Sequence, residues 1–418
     1  MKILWFTNTP CRALEKLTGT ALTGGGWLLA LSEHLKHQPD TELHIAFYWG
    51  QNMASFEYEG ITYHPVLREG EGSKFGRYIH RLTSQFSSKS DEKEVGRLLA
   101  VVEAVHPDII HIHGSEENFG MIAPLLPDNK IVLSVQGLLS PILGKRYAGI
   151  PYHDIVRNES LIKRIMMDGA AAERRRNKRA ALREQSFMPY IHNVIGRTEW
   201  DKNATLALNP QRRYFTCNEI LREDFFTHQW QPRAEEHTFT ICTTISNGMF
   251  KGLETVYRTA EILTRWGIPF KWNIIGVDKT APYAKVTQKY TGICPEKVGV
   301  ELLGRKTAAE MVDVFLMSDM YCNCSHIENS PNSVCEAMLL GMPIIASCVG
   351  GTSTLLKDRE EGLLVQDGEP YALAGMIMAQ KDNPESGIAR GIIAREQAEK
   401  RHSPQDVCSR LMNIYTTL

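Results

Sequence analysis

Two carboxylates eight positions apart, Glu328 and Glu336, bracket Ser330, Pro331, Asn332 and Ser333. Serine followed by proline predicts a helix start, with Ser330 as N-cap and Pro331 at the first helical position, where a missing N–H costs no hydrogen bond. Val334, Ala337, Met338 and Gly341 then recur at helical spacing, so one face can pack inward. The opening turn of such a helix presents unpaired N–H groups and a partial positive charge. It can therefore hold a phosphate, here near Asn332 and Ser333. Glu328 lies just ahead of that terminus. Glu336 lies about a turn and a half inside it, with its side chain leaning back towards the start. Two hydrogen-bond acceptors around one anion site suit a ligand that carries phosphates between two hydroxyl-rich groups, such as a nucleotide sugar. The same residues also describe an ordinary capped helix with one exposed glutamate.

Further residues bear on this choice. Lys251 and Gly252 stand between a strand and the next helix. A lysine there opposes the helix dipole by about 0.3–1 kcal/mol, and a bound anion would reverse the sign. Gly350 and Gly351 predict a tight turn where backbone approaches a ligand. The run Gly24, Gly25, Gly26 comes too long after the first strand to be a dinucleotide fingerprint, which argues against a nicotinamide site. His111 and His113 are read as facing opposite sides of a strand, which leaves His113 as a single substrate contact and excludes a metal pair. Gln136 can hydrogen-bond hydroxyls but takes no proton at neutral pH. Arg197 follows a strand and suits either an acceptor or phosphate contact, or a salt bridge within its domain.

The run from Glu328 to Gly351 resembles the E-x7-E signature of the retaining glycosyltransferases of family four, with Glu336, Ala337 and Met338 as its E-A-M and Gly341 to Ala346 as its G-x-P-V-I-A. The resemblance implies the GT-B fold: two Rossmann-like, doubly wound α/β domains facing a central cleft. It implies catalysis by Glu328 and Lys251, and donor binding by Gly25, Gly26, Ser330, Asn332, Ser333, Glu336, Gly350 and Gly351. Acceptor contacts are expected at His113, Gln136 and Arg197. No cofactor and no metal are expected, since the family typically needs no divalent cation and no D-x-D pair lies in the relevant loops. The family usually has a bulky apolar residue and a glycine after the first glutamate, where this chain has Ser330, Pro331 and Asn332. Three further positions depart from the family. Ser246 stands where an arginine is usual, Gln136 where a histidine is usual, and Thr354 where an acidic residue is usual.

The elements that must position these residues alternate. Short apolar runs such as Ile3 to Thr7, Leu43 to Trp49, Asp108 to Gly114, Thr238 to Ile245 and Asp319 to Cys324 are separated by amphipathic stretches. That grammar predicts parallel sheets covered on both faces. Phe56 to Leu67 reads as a hairpin, and Asp91 as the N-cap of a helix with Glu94 as its capping-box partner. A chain of 418 residues accommodates two such domains. We expect an acceptor-binding domain over 1–217, a nucleotide-sugar domain over 218–402, and a helix over 403–418 that returns to the first domain.

Composition narrows the partners. The net charge of −1 gives no global attraction to nucleic acid. Local basic runs, Arg174, Arg175, Arg176, Lys178 and Arg179, and the loop from Lys74 to Tyr78 with Arg81 and Phe86, read either as solvated faces or, taken together, as suited to an anionic membrane surface and a lipid-linked acceptor. Nine scattered cysteines without a C-x-x-C pair read as buried free thiols, and with no signal peptide at the N-terminus they suggest a cytoplasmic protein, peripheral on the inner membrane face. The expected activity is transfer of a hexose from a nucleotide sugar to a glycan or lipid-linked acceptor in surface-polysaccharide assembly. A sugar-nucleotide epimerase of the same fold, or a non-catalytic carbohydrate- or lipid-binding scaffold, are the alternatives.

Overall fold

The computed structural model describes residues 1–19, 26–70, 74–83, 89–127, 130–233, 235–246 and 248–418. The chain divides into two compact units. The first comprises Met1–Leu143, Ile165–Ile220 and Ser403–Leu418; the second comprises Gly144–Arg164 and Leu221–His402.

The first unit holds β1 (Lys2–Thr7), β2 (Glu42–Trp49), β3 (Phe56–Tyr58), β4 (Ile61–Leu67), β5 (Ile109–His113), β6 (Ile131–Ser134), β7 (Asn193–Gly196) and β8 (Arg213–Thr216). They form one sheet in the order β3-β4-β2-β1-β5-β6-β7-β8. All pairs are parallel except β3 with β4, the hairpin. Alternate residues feed two cores. Ile3 and Trp5 pack on one face, and Leu4 and Phe6 on the other, as a strand buried on both sides requires.

The second unit holds β9 (Phe239–Thr244), β10 (Phe270–Ile275), β11 (Val300–Gly304), β12 (Met320–Asn323), β13 (Ile344–Ser347) and β14 (Leu363–Val365). This sheet is parallel throughout, in the order β11-β10-β9-β12-β13-β14. Ile241 and Ile274 face one core, while Cys242 and Ile275 face the other.

Some local expectations change. The segment 144–164, read as part of the first domain, clusters with the second unit. Ile150 and Ile155 are buried, and Lys289 Nζ donates to the Asn158 carbonyl at 3.3 Å. Asp91 lies inside the helix Lys89–Val105 and does not cap it. Glu94 instead accepts from the Glu69 amide at 2.9 Å and Asn118 Nδ2 at 2.7 Å. The helix Pro404–Thr417 is capped by the Ser403 side chain. Its Tyr415 hydroxyl accepts from Trp5 Nε1 at 3.0 Å and lies 2.6 Å from His111 Nδ1.

Candidate functional site

Each sheet reverses its direction of growth at one point. In the second, the chain runs outwards from β9 through β10 to β11, then returns to β12 on the other side of β9. Ligands of such sheets bind beyond the carboxyl ends of the strands at that reversal. The two loops leaving β9 and β12 carry Lys251 and Glu328.

Lys251 closes a short 3-10 turn, Met249–Lys251. The next residue, Gly252, has φ +75°, and a Cβ there would stand 1.9 Å from the Cys324 carbonyl oxygen, so only glycine lets the two loops touch. The His326 amide donates to the Phe250 carbonyl at 2.8 Å and joins them again. Across this contact Lys251 Nζ pairs with Glu328 Oε1 at 2.6 Å. Ser325 Oγ donates to the same oxygen at 2.7 Å.

The glycine turn lies against the loop that carries Glu328. Gly350 approaches Glu328 itself: a Cβ on Gly350, at φ +50°, would lie 1.8 Å from the Glu328 carbonyl oxygen. The Gly351 amide donates to that carbonyl at 3.0 Å. The pair therefore fixes the backbone of Glu328. Thr354 follows in the short helix Thr352–Leu355, its amide bonded to the Gly351 carbonyl at 3.0 Å.

The helix after Glu328 spans Asn332–Leu340, and Pro331, not Ser330, is its N-cap. Pro331 has ψ 101°, the extended geometry an N-cap needs, so the helix begins one residue later than the proline-first pattern predicts. The amides of Val334 and Cys335 turn back to the Pro331 carbonyl. Those of Asn332 and Ser333 head the helix, and both residues are partly exposed. Ser333 Oγ accepts from the Tyr321 hydroxyl at 2.7 Å.

Glu336 is not the exposed glutamate of a capped helix. It is buried, and both its oxygens are forked by Arg222, with Nε and Nη2 each at 2.7 Å. His326 is likewise buried. Its Nε2 lies 2.6 Å from Glu254 Oε1 and its Nδ1 3.2 Å from Asp367 Oδ2. Burial alone would lower its pKa, but the hydrogen bonds and charges of Glu254 and Asp367 outweigh it and hold the imidazole above its usual range. Arg222, Glu254, His326 and Asp367 were not legible as site residues in the sequence. They come from four separate segments.

The first sheet reverses between β1 and β5. His111 and His113 do not face opposite sides. Residues two apart on a strand share a face, and the rings stack with centroids 3.8 Å apart. His111 is held between Tyr415 and Ser134, each at 2.6 Å, and burial pushes its pKa down to about 3. His113 packs against Trp5 and Trp27. Burial first, then His111 and Arg197, keep it far below the ordinary histidine range and hence neutral. Neither of its ring nitrogens has a hydrogen-bond partner among the described residues.

Arg197 makes the salt bridge, with Nε 2.5 Å from Glu219 Oε2, and its guanidinium covers Trp27. Its backbone is set by the capping box of Thr198 and Asp201 that opens the helix Glu199–Leu208. Gln136 Oε1 accepts from Asn8 Nδ2 at 3.5 Å. Beside it lies Glu116, also missed in the sequence. Burial above all, with Glu184 and Glu117 nearby, pushes its carboxyl up to about 7. Gly26 begins the helix Gly26–Leu35, whereas Gly24 and Gly25 lie outside the described residues.

The basic run divides. It lies in the helix Ala170–Phe187, where Arg174 and Lys178 are exposed. Arg176 pairs with Asp168 at 3.6 Å, while Arg179 and Arg183 approach Asp91 at 3.9 and 3.5 Å. The side chains of Lys74, Phe75, Arg77 and Arg81, and all of Phe86, lie outside the described residues. Among the described residues there is no group of three or more His, Cys, Asp or Glu placed to hold a metal, and no helix is long and apolar enough to cross a membrane.

Residues 229–397, which carry Lys251, Glu328, Glu336 and the Gly350–Gly351 turn, match the family model described as glycosyl transferases group 1. They form a group 1 glycosyl transferase domain. The chain is 24% identical over 178 residues to WcaL of Salmonella typhimurium, described as a putative colanic acid biosynthesis glycosyltransferase. That alignment covers 40% of this chain and 42% of WcaL. A D-inositol 3-phosphate glycosyltransferase of Corynebacterium glutamicum is 33% identical over 107 residues, 25% of this chain and 26% of that protein. The glycosyl transferase domain and the unit before it together match whole solved structures. Sucrose-phosphate synthase from Thermosynechococcus elongatus has a TM-score of 0.73 at 15% identity, covering 100% of this chain and 98% of that one. Anabaena HepE, solved with UDP and glucose, has a TM-score of 0.65 at 15% identity over 100% of both chains. These likenesses establish the GT-B fold.

Proposed function

We propose that the protein is a retaining, metal-independent glycosyltransferase that moves a hexose from a nucleotide-sugar donor to a glycan or lipid-linked acceptor in surface-polysaccharide biosynthesis. The observation that carries the reading is the Lys251–Glu328 pair at the reversal point of the second sheet, beside the amides that open the helix Asn332–Leu340.

In this reading the donor diphosphate lies on the amides of Asn332 and Ser333 and draws the Lys251 ammonium from Glu328. The bond from the anomeric carbon to the diphosphate breaks, and the leaving group takes the electron pair. Lys251 and the helix amides neutralise its charge, an electrostatic form of catalysis that needs no metal. The acceptor hydroxyl oxygen bonds the same carbon on the face that the diphosphate leaves, with retention, and its proton passes to the departing phosphate oxygen. Glu328, released from Lys251 and steadied by Ser325 and Gly351, faces the positive charge that develops on the sugar. Glu336, forked by Arg222, presents its remaining lone pairs to the ribose hydroxyls. The acceptor is assigned to the first unit, with His113, Gln136 and Arg197 among its contacts.

The run Leu161, Ile162, Lys163, Arg164, Ile165 leaves its three apolar side chains 68%, 69% and 79% exposed. With Arg174 and Lys178 it supports peripheral docking on the anionic inner face of a membrane. Co-flotation with vesicles rich in anionic lipid, absent with neutral vesicles, is the expected result.

The deciding experiment is transfer from UDP-, GDP- and ADP-hexoses by the full chain, with Lys251→Ala and Glu336→Ala alongside. Each variant should lower transfer at least tenfold, roughly the effect of one lost charge-assisted hydrogen bond. Undiminished transfer in both, or no binding of any donor by the wild type, overturns the reading.

A further inference from the structure

The Lys251–Glu328 pair carries no net charge, whereas the diphosphate of a nucleotide sugar carries about two negative charges. Lys251 alone cannot balance it. No cation stands five residues earlier, where Ser246 is exposed. The missing charge arrives from elsewhere in the second unit. The guanidinium of Arg146 lies over the ring of Phe250, 5.6 Å from its centroid, and Lys251 Nζ lies 5.2 Å from the same centroid. One aromatic ring at the end of the β9 loop thus gathers two cations. Arg146 belongs to the segment 144–164 that crosses into the second unit and is anchored there by Ile150, Ile155 and the contact of Lys145 with Asp367 at 3.9 Å.

We propose that Arg146 is a phosphate-binding residue of this site, which with Lys251 grips a nucleoside diphosphate across the ring of Phe250. The assignment deepens the nucleotide-sugar reading and rests on it. A guanidinium is planar, and its N–H groups lie in the plane of the fork, where they bond phosphate oxygens in pairs. Contact with the ring of Phe250 lowers the entropy that the long side chain loses on binding, because it already favours one placement of the side chain.

The test is calorimetric titration of the full chain with UDP, GDP and ADP, and with the parent nucleosides, for the wild type, Arg146→Gln, Arg146→Lys and Phe250→Leu. Arg146→Gln should weaken the preferred nucleoside diphosphate ~10–100-fold, the worth of one or two charge-assisted bonds, and leave the nucleoside within about twofold. Arg146→Lys should recover part of that loss, because it restores the charge but not the fork. Phe250→Leu should weaken the diphosphate less than Arg146→Gln. Diphosphate affinity unchanged in Arg146→Gln overturns the assignment while the donor reading stands. Equal losses for nucleoside and diphosphate make Arg146 a packing residue and overturn it too. A wild type that binds none of the three diphosphates removes the donor reading, and this assignment with it.

Discussion

Lys251 Nζ lies 2.6 Å from Glu328 Oε1 although 77 residues separate the two, and both side chains are mostly buried. A ligand phosphate must therefore compete with a carboxylate already in place. Glu328→Gln keeps an acceptor for Ser325 but releases the ammonium. It should bind nucleoside diphosphate several-fold tighter and lose transfer. Lys251→Ala should instead bind the diphosphate more weakly, also lose transfer, and lower stability by about 2–4 kcal/mol, because it strands a buried carboxylate. Isothermal titration and urea unfolding of the two variants check both signs. Weaker nucleotide binding by Glu328→Gln would mean that the pair does not compete with ligand.

His326 ties the two loops of that pair to Glu254 and Asp367. Its pKa is raised in the folded state, so its contribution is fully present below the unfolded value of ~6.5 and is lost as pH rises through the folded one. The groups facing it are Glu254 and Asp367, with Lys145 beyond Asp367. The stability difference between wild type and His326→Gln should be larger at pH 6 than at pH 9. Urea unfolding at the two pH values measures it, and a difference independent of pH would show that the imidazole has the same pKa folded and unfolded.

The sequence showed what local chemistry determines. Alternating apolar runs disclosed both sheets, and the spacing of Glu328 and Glu336 disclosed a helix start between them. It did not show partners that arrive from other segments. Nothing near Glu336 announces Arg222, and nothing near Phe250 announces Arg146, because each contact exists only after the chain has folded. The strands Arg213–Thr216 and Leu363–Val365 escaped notice because four and three residues carry too little periodicity. The error over His111 and His113 was one of geometry, since a period of two places them on the same face. Ser330 was misplaced as a cap because proline itself can hold that position.

Glu116 gives a second titration, in the first unit. Its carboxyl is pushed up to about 7 by burial and by Glu184, whereas an unfolded glutamate titrates near ~4.3. Between those values the folded chain holds a proton that the unfolded chain has lost, so this group lowers stability as pH rises. Glu116→Gln should therefore gain stability over wild type on going from pH 5 to pH 8. If transfer depends on this carboxylate, the acidic limb of the wild-type rate profile near pH 7 should vanish in the variant. Parallel unfolding curves at the two pH values would show that Glu116 titrates as an ordinary exposed acid.

Gly350 offers the sharpest separation of site from scaffold. Alanine there meets two obstacles: a backbone at φ +50°, and the Glu328 carbonyl oxygen 1.8 Å from the new Cβ. Gly60 is the matched control, with φ +78° and nothing within 4 Å of its Cβ. Gly60→Ala should cost only the left-handed strain of ~1 kcal/mol. Gly350→Ala must also displace the loop that carries Glu328, because a carbonyl cannot yield as a flexible side chain can. It should cost more than ~2 kcal/mol, lose the Gly351-to-Glu328 hydrogen bond, and lower donor turnover well beyond its effect on folding. Thermal unfolding and transfer assays on both variants, below the unfolding transition, decide the matter. Equal turnover in the two would mean that the glycine turn supports the fold without setting Glu328.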